Sequence, residues 1–146
     1  MKASGIYGTV LCLGFAFSLW SPLYARHPKM IQVDRSDNGR EVTIAVGEIV
    51  EISLAENPTT GFRWDLEVKP DPACTLVRSA FEPATGPPGK GGTRRWRFRA
   101  VRSGTGEVVL EYRRPWERDA PPRRTFKLSL RVRNAGTTRD PIARSE

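Results

Sequence analysis

Apolar residues recur at every second position through most of this chain. Val42, Ile44 and Val46 share one parity, as do Val50, Ile52 and Leu54, and then Trp64, Leu66 and Val68. Further along come Trp96, Phe98 and Ala100, then Val108, Leu110 and Tyr112, and finally Phe126, Leu128, Leu130 and Val132. A two-residue period puts alternate side chains on opposite faces of an extended backbone, so each run reads as a half-buried strand; helical spacing is nowhere sustained. Gly, Pro and Asp punctuate the runs at Asp37–Gly39, Gly47, Pro58–Gly61, Pro70–Pro72, Pro83–Gly92 and Pro115–Pro122. Short strands separated by such turns predict an all-β fold, an immunoglobulin-like antiparallel β-sandwich of about seven or eight strands. Ser103 to Gly106 reads as a tight hairpin between two strong strands.

The two ends of the chain break the pattern. After Met1 and Lys2, the run from Ile6 to Trp20 carries no charge, and a small residue, Ala25, follows shortly. A basic start, an apolar middle and a cut after Ala25 describe a secretory signal peptide over residues 1–25. The run is short for a transmembrane helix, which needs ~20 apolar residues, so no membrane association is expected after cleavage. The expected product is exported, periplasmic or secreted. From Asn134 the alternation stops, so residues 134–146 read as a disordered tail behind a domain at 26–133.

Charge and cysteine content narrow the function. The net charge is +8, from 24 Lys and Arg against 16 Asp and Glu. Basicity invites nucleic acid as a partner, but export separates the chain from it. Arg95, Arg97 and Arg99, like Arg131 and Arg133, alternate with apolar residues and read as a solvated sheet face. Loss of the leader removes Cys12 and leaves Cys74 without an internal partner, so a single apolar core must hold the domain, expected to be a monomer. The sole histidine, His27, lies beside the cut; Cys74 sits in the strand-like CTLVRSAF; no His, Cys and carboxylate cluster has metal spacing. GPPGKGG lacks the Ser or Thr that a phosphate loop places after Lys. No catalytic, metal or cofactor site is expected, and the chain reads as a binding protein rather than an enzyme.

Three loops carry the remaining information. In Asn57-Pro58-Thr59-Thr60-Gly61, Pro58 fixes one backbone angle and Gly61 permits a positive one, leaving two threonines at a stiff tip. In Gly89-Lys90-Gly91-Gly92, three glycines leave the backbone bare for another chain to approach. In Arg114-Pro115-Trp116, a tryptophan falls outside the alternation that holds Trp64 and Trp96, as an interface anchor does. Each alone reads as an ordinary turn.

Together, in this order, they resemble the chagasin-like inhibitors of papain-type cysteine proteases, whose signatures are an NPTTG loop leading into an aromatic-x-Trp strand, a GxGG loop and an RPW loop. The resemblance spans about Ile31 to Val132; Phe62 stands where Tyr is commoner, and Gly86-Pro87-Pro88 precedes the second loop. It implies an immunoglobulin-like fold and reversible blocking of a papain-like protease. Thr59 and Thr60 would sit against the catalytic Cys–His pair, the glycine loop would pair on the unprimed side, and Trp116 would pack on the primed side with Arg114 at the rim. The alternative is an exported carbohydrate-binding or adhesion sandwich in which Trp116 stacks on a sugar.

Overall fold

The computed structural model describes residues 28–136 apart from residue 71. The expected signal peptide, and the tail from residue 137, lie outside the described residues. Eight strands follow one another: β1 Met30–Val33, β2 Glu41–Ala45, β3 Ile49–Glu56, β4 Arg63–Val68, β5 Cys74–Pro83, β6 Gly92–Ala100, β7 Gly104–Arg113 and β8 Arg124–Arg133. They form two four-stranded sheets in the orders β1-β3-β6-β5 and β2-β8-β7-β4. The predicted sandwich is therefore present, with its core between the sheets. Val50, Ile52, Leu54, Trp96 and Phe98 from one sheet meet Val108, Leu110, Phe126, Leu128 and Leu130 from the other, all of them buried.

The sheets are mixed rather than purely antiparallel. β1 runs parallel to β3, and β2 parallel to β8, while the other four pairings are antiparallel. The cause is the β1–β2 connection, which crosses from one sheet to the other instead of folding back as a hairpin. Its single 3₁₀ turn, Arg35–Asp37, is held by a capping box in which the Asp34 carboxylate accepts from Ser36 N at 2.7 Å and Asp37 accepts from Asp34 N at 3.0 Å. The turn is then pinned to β8, with Lys127 N donating to Asn38 Oδ1 at 2.8 Å and Gly39 N to Lys127 O at 2.8 Å.

Two local expectations change. Ser103–Gly106 is not a hairpin, because β6 and β7 belong to different sheets; the segment is an arch between the two sheets at one end of the sandwich. Gly104 and Gly106 already pair with Val132 and Leu130 of β8, and Gly106 is small because a Cβ there would come 2.7 Å from Pro70 O. In β4 the shared face of Trp64, Leu66 and Val68 fails at a register shift between Leu66 and Val68, which leaves Val68 exposed.

The arginine face of β6 is also more than a solvated surface. Glu51 of β3, pointing away from the core, is 1 % exposed and is covered by Arg95 and Arg97, which donate to its two oxygens. The Arg131–Glu41 pair on the other sheet is exposed, as alternation predicts. Pro28, Lys29, Ala135 and Gly136 come together around the β2–β3 turn, so both ends of the domain leave from one end of the sandwich.

Cys74 opens β5, free and 2 % exposed, and burial pushes its thiol from 9.0 up to about 11. Below pH 9.0 the thiol is neutral whether the chain is folded or not. Between pH 9.0 and about 11 the unfolded chain alone loses the proton, so stability falls as pH rises. Wild type should thus lose up to roughly 2 kcal/mol relative to Cys74→Ala across that window. Urea unfolding of both proteins at pH 7 and pH 10.5 checks this; a constant difference between them contradicts it.

Candidate functional site

At the opposite end of the sandwich from Pro28 and Gly136, three connections crowd together, and a carboxylate sits beneath them. Glu56 ends β3 on the inward parity of Val50, Ile52 and Leu54, and its side chain is fully buried. Arg94 of β6 reaches it from the inward parity of Trp96 and Phe98, with Nη2 donating to Oε1 at 3.0 Å and Nε to Oε2 at 3.4 Å. Trp64 N of β4 donates to Oε2 at 2.8 Å, and Trp64 Nε1 donates to Ala55 O at 3.0 Å. One buried anion thereby joins the ends of β3, β4 and β6 where the first loop leaves the sheet.

The first loop, Asn57–Gly61, is a single 3₁₀ turn over Pro58–Thr60 capped by Asn57. Asn57 Oδ1 accepts from Thr59 N at 3.2 Å and from the Thr59 hydroxyl at 2.7 Å. The Thr60 hydroxyl donates to Asn57 O at 2.7 Å. Both threonine hydroxyls, exposed at the tip, are thus spent on the loop itself, and Gly61 closes the turn at φ 80° with its N–H on Pro58 O. The Asn57 backbone N–H reaches Tyr112 Oη at 3.4 Å.

The second loop joins β5 to β6. Asn57 Nδ2 donates to Gly89 O at 3.0 Å, which ties the second loop to the first. The three glycines differ in purpose. Gly91, at φ +79°, would bring a Cβ within 2.8 Å of Glu56 O, and a Cβ on Gly92 would overlap Glu82 O and the Phe81 ring. Those two are bare because their own chain is packed on them. Only Gly89 is open at its Cα, with φ +88° and nothing within 4 Å of its missing Cβ, while its carbonyl is held by Asn57. Pro87 and Pro88 face Pro58 and Thr59 across a shallow apolar notch.

The third loop follows β7. Trp116 is 69 % exposed, against 8 % for Trp64 and 3 % for Trp96, so the break in alternation separates the tryptophans as read from the sequence. Its ring lies beside the first loop: a Cβ on Gly61 would come 2.6 Å from Trp116 Cη2. Glu117 N donates to Arg114 O at 3.0 Å, and Arg114 Nη1 bridges to Glu117 at 3.0 Å. The Arg114 guanidinium lies 4.6 Å from the centre of the Phe62 ring, which stacks on Tyr112, which in turn packs against Trp64. All twelve loop residues named from the sequence are therefore at one end of the domain. Glu56, Arg94, Tyr112 and Phe62, which hold them there, were not among them. Among the described residues no group of His, Cys, Asp and Glu is placed to hold a metal.

Comparison with known proteins matches this arrangement to a family. The model of the chagasin family peptidase inhibitors I42 matches residues 43–130. Chagasin of Trypanosoma cruzi is 37 % identical over 106 residues, covering 69 % of this chain and 96 % of the relative. Amoebiasin-1 of Entamoeba histolytica is 36 % identical over 102 residues, covering 70 % of this chain and 99 % of the relative. In overall fold, the crystal structure of the cysteine protease inhibitor EhICP2 from Entamoeba histolytica superposes with a TM-score of 0.67 at 24 % identity, covering 73 % of this chain and 98 % of that one.

The buried anion yields a stability prediction. Glu56→Ala strands the Arg94 guanidinium and the Trp64 N–H together, and should cost about 3–5 kcal/mol of folding free energy, as breaking a buried pair does. Glu56→Gln, which keeps an oxygen for Trp64 N, should cost less. Urea denaturation of the two variants checks the order; equal and small effects would show that the carboxylate is dispensable.

Proposed function

The chain belongs to the chagasin family of peptidase inhibitors, and from that premise we propose that its three loops together fill the substrate cleft of a papain-type cysteine protease. It is an inhibitor, not an enzyme. The observation that carries the proposal is the cross-linking of the loops: Asn57 shapes the first and bonds to Gly89 of the second, while Gly61 of the first lies against Trp116 of the third. A sugar-stacking surface would need Trp116 alone and gives no reason for the other two contacts.

The first loop then acts as an obstruction. Its backbone is a 3₁₀ turn rather than the extended chain that a protease cleft grips, so no peptide bond between Asn57 and Gly61 is presented for attack. With both threonine hydroxyl protons bonded internally, the tip offers the catalytic pair methyl groups, hydroxyl lone pairs and closed backbone, with no free hydroxyl donor. Gly89 supplies backbone open at its Cα on the unprimed side, and Trp116 an aromatic anchor on the primed side, with Arg114 held beside it. Because the loops are ordered before contact, docking freezes little further freedom, which favours slow release.

Export, through cleavage after Ala25 to the periplasm or the medium, belongs to the same proposal, supported by the leader-like run at the start of the chain. So does action as a monomer. The exposed edge strand β5 is interrupted by a register shift between Leu76 and Arg78, a feature that discourages pairing between sheet edges.

Titration of residues 26–146 against papain tests the core of the reading. Competitive, reversible inhibition with intact inhibitor recovered afterwards is expected; steady cleavage at Thr59–Thr60 with loss of inhibition would make the loop a substrate. Trp116→Ala should weaken inhibition by about 2 kcal/mol or more, chiefly as faster dissociation, while the melting temperature barely moves. Thr59→Ala should weaken it less, since backbone position does most of the blocking. A large drop in melting temperature with unchanged inhibition for Trp116→Ala would exclude the anchor role.

A further inference from the structure

The charges around the third loop remain unexplained by the blocking geometry. Residues 113–124 read RRPWERDAPPRR, with five arginines against Glu117 and Asp119. Arg114 is paired with Glu117, and Arg113 with Glu111 of β7. Arg118, Arg123 and Arg124 are exposed and have no carboxylate partner among the described residues. Two of them do not hang loose: the Arg123 guanidinium lies 5.3 Å from the centre of Phe62 and that of Arg124 5.9 Å from the centre of Tyr112. Phe62 and Tyr112 therefore seat Arg123 and Arg124 on the same aromatic column that carries Arg114 of the third loop.

Elsewhere the arginines are neutralised only in part, with Arg99, Arg102 and Arg133 also exposed and outside any ion pair among the described residues. Arg94 is matched by Glu56, Arg95 and Arg97 by Glu51, and Arg131 by Glu41. Uncompensated like charge near a docking surface costs stability through mutual repulsion and repels a basic partner, but it accelerates the approach of an acidic one. We propose that Arg118, Arg123 and Arg124 form a steering collar that selects papain-type proteases carrying acidic side chains on the primed-side rim, where the third loop lands. This rests on the cleft-blocking reading above and adds the class of target to it. The collar acts on encounter: long-range attraction raises the association rate, whereas Trp116 and the loop contacts set the rate of release.

The experiment compares association rates of the mature protein with two papain-type enzymes, one of acidic and one of basic isoelectric point, between low and high salt. Three variants are used: wild type, Arg118→Gln/Arg123→Gln/Arg124→Gln, and Arg99→Gln/Arg102→Gln/Arg133→Gln. The last removes the same charge from exposed positions distant from the loops. Wild type should bind the acidic enzyme faster by about tenfold or more, with the advantage lost at high salt. The collar variant should lose most of that advantage with its dissociation rate and melting temperature nearly unchanged, and the distant variant should keep it. Equal losses in the two variants would mean that net charge alone steers and would overturn the proposal. So would a salt-independent rate. Retention of wild type, but not the collar variant, on a sulfated polysaccharide column, with protease association unaffected, would overturn it too and assign the arginines to an anionic polymer. Absence of any inhibition by wild type would be a failure of the blocking reading itself, visible before the variants are compared.

Discussion

The loop end of this domain is organised around a charge placed where the sandwich should be greasy. A carboxylate taken out of water is costly, of the order of several kcal/mol even after the surroundings relax, and is tolerated only when cations and N–H donors surround it. Glu56 meets that condition with Arg94 on one side and the Trp64 backbone on the other. The ends of three strands must therefore hold their relative positions for the anion to stay satisfied. An apolar residue there would let β3, β4 and β6 slide by tenths of an ångström with little penalty; directional bonds to a buried charge do not. The loops that spring from these strand ends inherit that accuracy.

From the anchor outward, rigidity is passed on by small groups. Gly91 allows the second loop to lie against Glu56 O, and the Asn57 amide spans the gap to Gly89. On the other side Trp64, Tyr112, Phe62 and Arg114 pack in succession from the core to the third loop. Phe62 serves this column through its ring faces, so the loss of a tyrosine hydroxyl at this position leaves the stacking intact. The surface formed is a set of three short turns whose hydrogen bonds are already made.

Much of this was legible beforehand. Six of the eight strands follow from the two-residue period, and the exposure of Trp116 from its place outside it; the short β1 carries no such run, and β5, read as strand-like, shows no alternation of burial. What escaped was pairing between distant segments. Alternation reveals that Ser103–Gly106 turns, but the same glycines serve a hairpin and an arch between sheets, and only the identity of the neighbouring strand separates them. The parallel joins of β1 and β2 leave no local mark for the same reason. Glu56 and Arg94 are different: each occupies an inward position of its strand, and two opposite charges where alternation demands apolar residues are a readable sign of a buried pair. The glycines of the second loop were read as open when two of them are small for internal packing, because a sequence does not say from which side a missing Cβ would be struck.

The ends of the domain add a consequence for how such a molecule can be deployed. Pro28 and Gly136 sit side by side at the pole opposite the three loops. A chain that enters and leaves at the same pole can be hung from a membrane anchor, a solid support or a second domain by either end while its working face stays outward. Copies strung head to tail would each present their loops on the same side of the linker. The architecture suits modular reuse, in which reach and valency are altered without touching the residues that bind.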